Sequence, residues 1–299
     1  MKLYSECLVC QIQVRYRDIC KIFSDEEHRI KAMRTIIMEL NNMLNKCNSS
    51  ICTPTHFATN LFRIVKRISG IQDPYQNEKS IANKLALNFY KKLRDFVLSL
   101  NHPRDRLIIA LKFSLIGNTI DLGVKDYEPP SIEDLVNRAS IMNIYGDVDK
   151  AIDLLIKANS IVVLLDNSGE AVFDRLLSDV LRDMGKKVFA IVKGGAFQND
   201  ITIFDINEAE LMNSFDNILS TNSDASSIFL DEVDSSVIEV INSTDIIVSK
   251  GMANYEYLTE IENILRKPII YLFVAKCRPI SIDSGIPFGK PGVVVHGQL

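Results

Sequence analysis

Polar side chains follow four separate apolar runs in the C-terminal half of the sequence. They occupy segments 166–170, 193–200, 249–256 and 276–277. If the runs are parallel strands, these segments lie close together, because ligand sites in open parallel sheets form beyond the carboxyl ends of the strands. The shared crevice would then contain two Asp, two or three Asn and up to three Lys.

This set of side chains predicts a divalent-metal and phosphate site. Carboxylate and amide oxygens are hard ligands that suit Mg²⁺ or Mn²⁺ better than a thiolate-seeking metal. Lysines beside such a metal fit a phosphorylated ligand, and free backbone N–H groups at the helix start after the first run would also favour an anion. Metal, lysine and helix N-terminus together stabilise charge on a transferring phosphoryl group.

Each segment taken alone has a simpler interpretation. The sequence Asp-Asn-Ser-Gly at 166–169 is also an ordinary turn and helix cap, and Lys250-Gly251 could simply end a strand. The sequence has no G-x-x-x-x-G-K-[ST] phosphate loop, and no G-x-G-x-x-G follows the first run, which argues against a dinucleotide site. The site hypothesis therefore depends on four strand ends that carry compatible groups.

The elements that must position these groups are short β-branched runs alternating with amphipathic helical stretches. The runs are 161–165, 188–192, 217–219, 246–248, 269–274 and 293–295. The third run is weak, and the last could be an edge strand. Between the first two, apolar residues of 172–184 share one helical face, and Gly185 fits a C-terminal cap. This alternation predicts an α/β fold whose mainly parallel sheet is covered by helices.

The N-terminal part of the chain has a helical pattern from Ser5 to about Val124. Apolar residues recur at helical spacing over 30–44 and 81–100, which predicts that both stripes pack into a core. A further helix is expected from Asp105 through Leu115. Paired prolines at 129–130 cannot continue a helix and predict a linker. We therefore expect a mainly helical region over residues 1–130 and an α/β domain over 131–299.

Composition excludes several classes of function. The 299-residue chain has a net charge of −4 and only short basic runs, which argues against nucleic acid as a partner. Its first residues lack a secretory signal pattern, and its apolar runs are too short to span a bilayer. We therefore expect a cytoplasmic protein without a membrane partner.

The six cysteines allow more than one interpretation. Structural disulfides are not the default in a chain of this size and expected compartment. The spacing Cys7-x-x-Cys10 is suggestive, and Cys47 with Cys52 is a candidate second pair for a metal or redox site. Buried helix cysteines are the favoured interpretation.

The same segments, in order along nearly the whole chain, resemble the damage-control phosphatase family, or domain of unknown function 89. The matching segments are 6–10, 53–54, 73–75, 117–123, 166–170, 199–200, 250–256 and 276–279. The Cys7-x-x-Cys10 start is similar to the branch found mainly in archaea and other prokaryotes. Two segments depart from the family pattern: 193–198 lacks a proline before the Asn-Asp pair, and the tail after Lys276 is less regular.

The resemblance implies a fold, a reaction and a cofactor. The fold is a helical N-terminal region that forms part of the pocket wall, followed by a Rossmann-like three-layer α/β/α domain. The reaction is the hydrolysis of small phosphorylated metabolites, such as sugar phosphates or related damaged metabolites. The cofactor is a divalent metal ion: Mn²⁺, Mg²⁺, Co²⁺ or Ni²⁺.

The resemblance also implies roles for individual residues. By position, the residues similar to the family's metal ligands are Asp166, Asn167 and Asp200. Lys276 is similar to a lysine that contacts the substrate phosphate. Residues implied to line or support the substrate pocket are Asn118, Asp121, Glu170, Lys250 and Asn254.

These roles suggest a mechanism in which the metal activates a water molecule while Lys276, with Lys250 as a second candidate, neutralises developing charge. Asp166 is alternatively a nucleophile that forms an aspartyl-phosphate, although the Asp-x-Asp pattern of haloacid-dehalogenase-type enzymes is absent. Two other functions remain open. One is an S-adenosylmethionine-dependent methyltransferase, because Rossmann-like sheets host both chemistries. The other is a non-catalytic redox or ligand-binding module that uses Cys7 and Cys10.

Overall fold

The computed structural model describes residues 1–47, 52–117 and 131–297. Its helices are α1 (Ser5–Ile22), α2 (Glu26–Asn45), α3 (Pro54–Ser69), α4 (Gln76–Ser99), α5 (Pro103–Gly117), α6 (Ile132–Ile141), α7 (Val148–Lys157), α8 (Glu170–Asp183), α9 (Ser235–Ser243), α10 (Gly251–Leu265) and α11 (Arg278–Ser284). Its strands are β1 (Tyr145–Gly146), β2 (Ser160–Leu164), β3 (Lys187–Val192), β4 (Asn217–Ser220), β5 (Ile246–Lys250), β6 (Ile269–Val274) and β7 (Pro291–His296).

The strands form one seven-stranded sheet in the order β1-β7-β6-β5-β2-β3-β4. Neighbouring strands are parallel except for β6 and β7, which pair antiparallel. The predicted α/β class with a mainly parallel sheet is confirmed. The prediction of an edge position for the last run is wrong, because β7 lies between β6 and β1. With only two residues, β1 has no apolar run that a sequence pattern could reveal.

Helices cover both faces of the sheet and form the predicted α/β/α layers. On β2, Ile161 and Val163 pack into the core shared with α4 to α8, whereas Val162 and Leu164 pack into the core shared with α9 to α11. Successive side chains of a strand point to opposite faces, so a strand between two helical layers is apolar at every position. This explains the uninterrupted apolar runs in the sequence.

The N-terminal helices divide between two cores. Helices α1 to α3 form a core of their own, which also takes in Phe197 from the loop after β3. Helices α4 and α5 instead pack against α8 on one face of the sheet. The predicted linker at 129–130 lies outside the described residues, and the division at residues 130 and 131 stays a prediction.

The two apolar stripes of the N-terminal region behave differently. The stripe of α4 is buried as predicted, with Ala86 and Leu93 fully enclosed. The stripe of α2 is only partly buried: Ile36 and Leu40 pack inward, but Ile30 is 66% exposed and Ile37 is 51% exposed. The prediction of core packing is therefore wrong for these two residues. The neighbouring helices α1 and α3 cover only one narrow face of α2.

The cysteines correct the expectation that the chain has no structural disulfide. Cys47 follows α2, Cys52 precedes α3, and the two are joined by a disulfide with their Cα atoms 5.4 Å apart. This spacing is typical of disulfides. The pair is therefore not available as half of a metal site. None of the helices in the described ranges is long and apolar enough to cross a membrane.

Candidate active site

Backbone pairing brings the first two predicted strand ends together. Asn167 and Asp200 form an antiparallel bridge, and two flanking hydrogen bonds support it. Ser168 N donates to Asn199 O at 2.9 Å, and Ile201 N donates to Asp166 O at 2.8 Å. The structure therefore places the residues predicted as metal ligands side by side.

The Asp166 carboxylate packs against the first residue of α10. Gly251 has a φ of +77°, and a Cβ atom at this position would lie 1.9 Å from Asp166 Oδ2. Only glycine allows both this backbone conformation and this approach. The carboxylate thus lies at the N-terminal end of α10, where the helix dipole favours negative charge.

Burial and mutual repulsion destabilise the ionised carboxylates. Burial, followed by the charges of Asp200 and Glu170, raises the pKa of Asp166 well above its ordinary value, although Lys193 and Lys276 act in the opposite direction. Burial also raises the pKa of Asp200 to about 6, against the opposing effect of Lys193. Adjacent buried carboxylates remain ionised at neutral pH only with enough positive charge nearby. This cluster therefore favours an additional cation.

The Asn167 amide is oriented by two acceptors. Its Nδ2 donates to Asp166 Oδ2 and to Glu170 Oε2, each at 2.9 Å. Both amide hydrogens are thereby used, so the remaining polar atom, Oδ1, is the one that can act as a ligand.

Lys250 lies in a buried ion-pair network rather than at a surface. Its Nζ is 3.0 Å from Glu170 Oε1 and 2.9 Å from Asp174 Oδ1, and it donates to Ser114 Oγ at 2.6 Å. Burial alone would lower the pKa of Lys250, but the two carboxylates outweigh it and raise the pKa to about 12. Lys250 therefore remains charged and holds Glu170 beside Asn167.

The other predicted residues have different surroundings. Lys276 follows β6 and is exposed, and its charge still acts on Asp166. Asn254 is buried, donates to Lys250 O at 2.9 Å and accepts from Ser227 Oγ at 2.8 Å. Asn118 and Asp121 lie outside the described residues.

Two N–H groups of the turn before α8, which the sequence predicted to be free, are occupied. Ser168 N donates to Asn199 O, as described above, and Gly169 N donates to Asn83 Oδ1 at 2.7 Å. These two groups are therefore occupied within the protein. For these two groups the expectation is wrong, because both acceptors come from segments distant in sequence.

Two residues without an assigned role also contact the site. Lys193 is buried, donates to Ser226 O at 2.8 Å and lies 3.5 Å from Asp200 Oδ2. Its place at a strand end was the only signal for it in the sequence. Asn83, in the middle of α4, had no local signal, because its contact with Gly169 depends on how two helices pack.

A cavity of about 530 Å³ lies beside Lys276 and is lined by the free cysteines Cys7, Cys10 and Cys277. Burial raises the pKa of all three thiols, and that of Cys7 reaches about 11. These cysteines are therefore protonated at neutral pH, which lowers their reactivity and their affinity for metal.

Within residues 1–47, 52–117 and 131–297, no three His, Cys, Asp or Glu side chains are grouped so that they could hold a metal ion. The described residues of the candidate site offer a cation two carboxylates, of Asp166 and Asp200, and the amide oxygen of Asn167. Such hard oxygen donors match Mg²⁺ or Mn²⁺.

Comparisons with known proteins show the family of this chain. The model of the damage-control phosphatase ARMT1-like domain matches residues 3–290. An uncharacterised protein from Methanocaldococcus jannaschii is 31% identical over 97% of this chain and 94% of its own length. A damage-control phosphatase from Archaeoglobus fulgidus is 30% identical over 97% of both chains.

A solved structure of a relative has the same fold over almost the whole chain. The crystal structure of a DUF89 family protein from Pyrococcus horikoshii superposes with a TM-score of 0.83 at 26% identity, covering 98% of both chains. Because the family model and these relatives span almost the entire sequence, the chain belongs to the damage-control phosphatase ARMT1-like (DUF89) family.

Proposed function

We propose that this protein is a divalent-metal-dependent phosphatase that acts on small phosphorylated metabolites. The observation that carries the proposal is the pairing of Asp166 and Asn167 with Asp200 at the carboxyl ends of β2 and β3. Relatives named damage-control phosphatase support a phosphatase role.

The side chains of this cluster fit a divalent cation. Asp166 and Asp200 are buried carboxylates with raised pKa values, and Asp200 Oδ2 is 3.5 Å from Lys193 Nζ, a distance too long for a strong hydrogen bond. The ligands would be these two carboxylates together with Asn167 Oδ1. A bound cation would polarise the phosphoryl group and lower the pKa of water, which generates a nucleophile near neutral pH.

The chain's own residues supply the remaining functions. Lys276, which is exposed at the end of β6, would neutralise charge on the substrate phosphate. Lys250 is fully buried and ion-paired, so direct contact with phosphate would require it to leave two carboxylates. We infer that Lys250 acts by holding Glu170, which in turn orients the Asn167 amide.

Water is the nucleophile that we favour. Asp166 Oδ2 already accepts a hydrogen bond from Asn167, and the carboxylate is packed against Gly251, so its freedom to attack phosphorus is small. Acid quenching during turnover followed by mass spectrometry of residues 160–175 distinguishes the two routes. A phosphate trapped on Asp166 would show the aspartyl route, whereas an unmodified peptide is expected for attack by water.

The test of the proposed function uses metal-stripped protein and p-nitrophenyl phosphate, with Mg²⁺, Mn²⁺, Co²⁺ and Ni²⁺ added singly. We expect a metal to restore hydrolysis in the wild type, and Asp166→Asn and Asp200→Asn to abolish it while remaining folded. The matched control is Asp183→Asn, which removes a surface carboxylate paired with Arg106. Folded protein without activity under every metal would refute the proposal and favour the methyltransferase or binding-module alternatives.

A further inference from the structure

The loop that leads into Asp200 contains a strained residue. Gln198 has a φ of +44°, in the left-handed region that non-glycine residues seldom adopt. This conformation costs about 1–2 kcal/mol for an L-amino acid. Such strain persists only where surrounding contacts impose it, and it is concentrated at functional sites.

The contacts to Gln198 come from the N-terminal helices. Its Nε2 donates to Asp18 Oδ1 at 3.2 Å, and the Tyr75 hydroxyl donates to the same oxygen. The other oxygen, Asp18 Oδ2, is 2.8 Å from Arg15 Nε, and Arg15 Nη1 donates to Ala58 O at 2.8 Å. Asp18 and Arg15 are both almost fully buried. Asp18, which accepts the hydrogen bond from Gln198, is thus held in place by both Tyr75 and Arg15.

Contacts to the two preceding residues hold the same loop. Lys66 Nζ donates to Ala196 O at 2.9 Å. The ring of Phe197 packs edge-on against Phe62, with 5.4 Å between the ring centroids. Three successive loop residues are therefore held by the helical region, and Asp200 N donates back to Phe197 O at 3.0 Å.

We propose that Asp18 and Tyr75 are positioning residues: they hold Gln198 in its left-handed conformation and so place Asp200 beside Asp166 and Asn167. This inference rests on the proposed function, because the role of Asp200 as a metal ligand is part of it. Partners that orient metal ligands typically change metal affinity about 10–100-fold when they are removed.

The test is titration calorimetry of Mn²⁺ binding to the metal-stripped full-length protein, with hydrogen exchange of residues 194–203 as a second readout. Tyr75→Phe and Asp18→Asn should each weaken Mn²⁺ binding about tenfold and speed exchange in this segment. The matched control is Tyr90→Phe, which removes a hydroxyl that bonds to Asp179 in another part of the fold. The control should change neither readout.

A double-mutant cycle separates positioning from general destabilisation. Gln198→Ala should weaken Mn²⁺ binding, and addition of Tyr75→Phe should weaken it little further, because Tyr75 acts through the Asp18–Gln198 contact. The inference would be overturned if Tyr75→Phe and Asp18→Asn had the Mn²⁺ affinity and the hydrogen exchange of the wild type. It would also be overturned if Tyr90→Phe weakened Mn²⁺ binding equally. Neither result would contradict the proposed function. A wild-type protein that binds no Mn²⁺ would overturn both the inference and the proposed function.

Discussion

Replacement of Gly251 by alanine tests how closely the first turn of α10 and the Asp166 carboxylate are packed. The added Cβ would lie 1.9 Å from Asp166 Oδ2 and 2.2 Å from its Cγ, whereas real Cβ contacts essentially never fall below 3.0 Å. The carboxylate or the helix start must therefore move by about 1 Å. A displacement of this size at reacting groups can lower a rate about 100-fold.

Gly251→Ala also destabilises the fold because alanine disfavours a positive φ, and the same substitution at Gly185 measures this backbone cost separately. Gly185, at the end of α8, has a φ of +80° and no atom within 4 Å of the position that its Cβ would take. Gly185→Ala should therefore lower the free energy of unfolding only by the cost of the left-handed conformation, about 1–2 kcal/mol. Gly251→Ala should lower the free energy of unfolding by a similar amount, and the displacement of the Asp166 carboxylate should lower it further.

The assays are urea unfolding for the free energy of unfolding and metal-restored hydrolysis of p-nitrophenyl phosphate for activity. We expect Gly251→Ala to be folded, destabilised by about 2 kcal/mol or more, and about 100-fold less active. Gly185→Ala should have nearly full activity. Activity of Gly251→Ala within about fivefold of the wild type, or an equal loss in Gly185→Ala, would refute the reasoning.

Three further predictions concern the buried charges and the thiols. Lys250→Met removes the cation between two buried carboxylates, so urea unfolding should show a loss of about 3–5 kcal/mol, whereas the exposed Lys290→Met should change little. Because burial raises the pKa of Asp200 to about 6, above its value of about 4 in the unfolded chain, its protonated form favours folding. The stability that protonated Asp200 contributes is present below about pH 4 and is lost as the pH rises through 6. Because a proton on Asp200 competes with a cation, Mn²⁺ should raise the melting temperature more at pH 7 than at pH 5. Cys7 should react with iodoacetamide much more slowly than a free thiol at pH 7 and faster as the pH rises, because burial raises its pKa to about 11.

Each of these predictions has an outcome that contradicts it. Lys250→Met with wild-type stability would show that the ion pairs contribute nothing. A shift by Mn²⁺ that is equal at both pH values, or larger at pH 5, would contradict the raised pKa of Asp200. Fast alkylation of Cys7 at pH 7 in the folded protein would contradict the burial of its thiol.

Much of the fold followed from local patterns. The runs that became β2, β3, β5 and β6 are apolar at every position because helices cover both of their faces. The stripe of α4 predicted its buried face, and Gly185 marked the end of α8. In each of these elements, the local pattern and the tertiary environment agree.

The features that sequence patterns missed depend on contacts between distant segments. The strand β1 has two residues and exists only because β7 pairs with it. Ile30 and Ile37 belong to an apolar stripe wider than the face that α1 and α3 cover. The disulfide between Cys47 and Cys52 depends on how closely the end of α2 approaches the start of α3, which the spacing alone does not specify.

The same distinction applies to the candidate site. The segments that contain Asp166, Asn167 and Asp200 could be selected because ligand sites lie at the carboxyl ends of parallel strands, and the family resemblance implied these three residues as metal ligands. The burial of Lys250 and the contact of Asn83 with Gly169 could not be predicted, because each requires the packing of α4 or α5 against α8. Asp18 and Gln198 are 180 positions apart in the sequence, and only the tertiary fold joins them.

The most direct test of metal binding is an anomalous difference map from crystals of this protein soaked in Mn²⁺. A peak in contact with the carboxylates of Asp166 and Asp200 and with Asn167 Oδ1 is the predicted result. Hydrolysis that requires Mn²⁺, combined with a peak at other residues, would contradict the assignment of these three ligands.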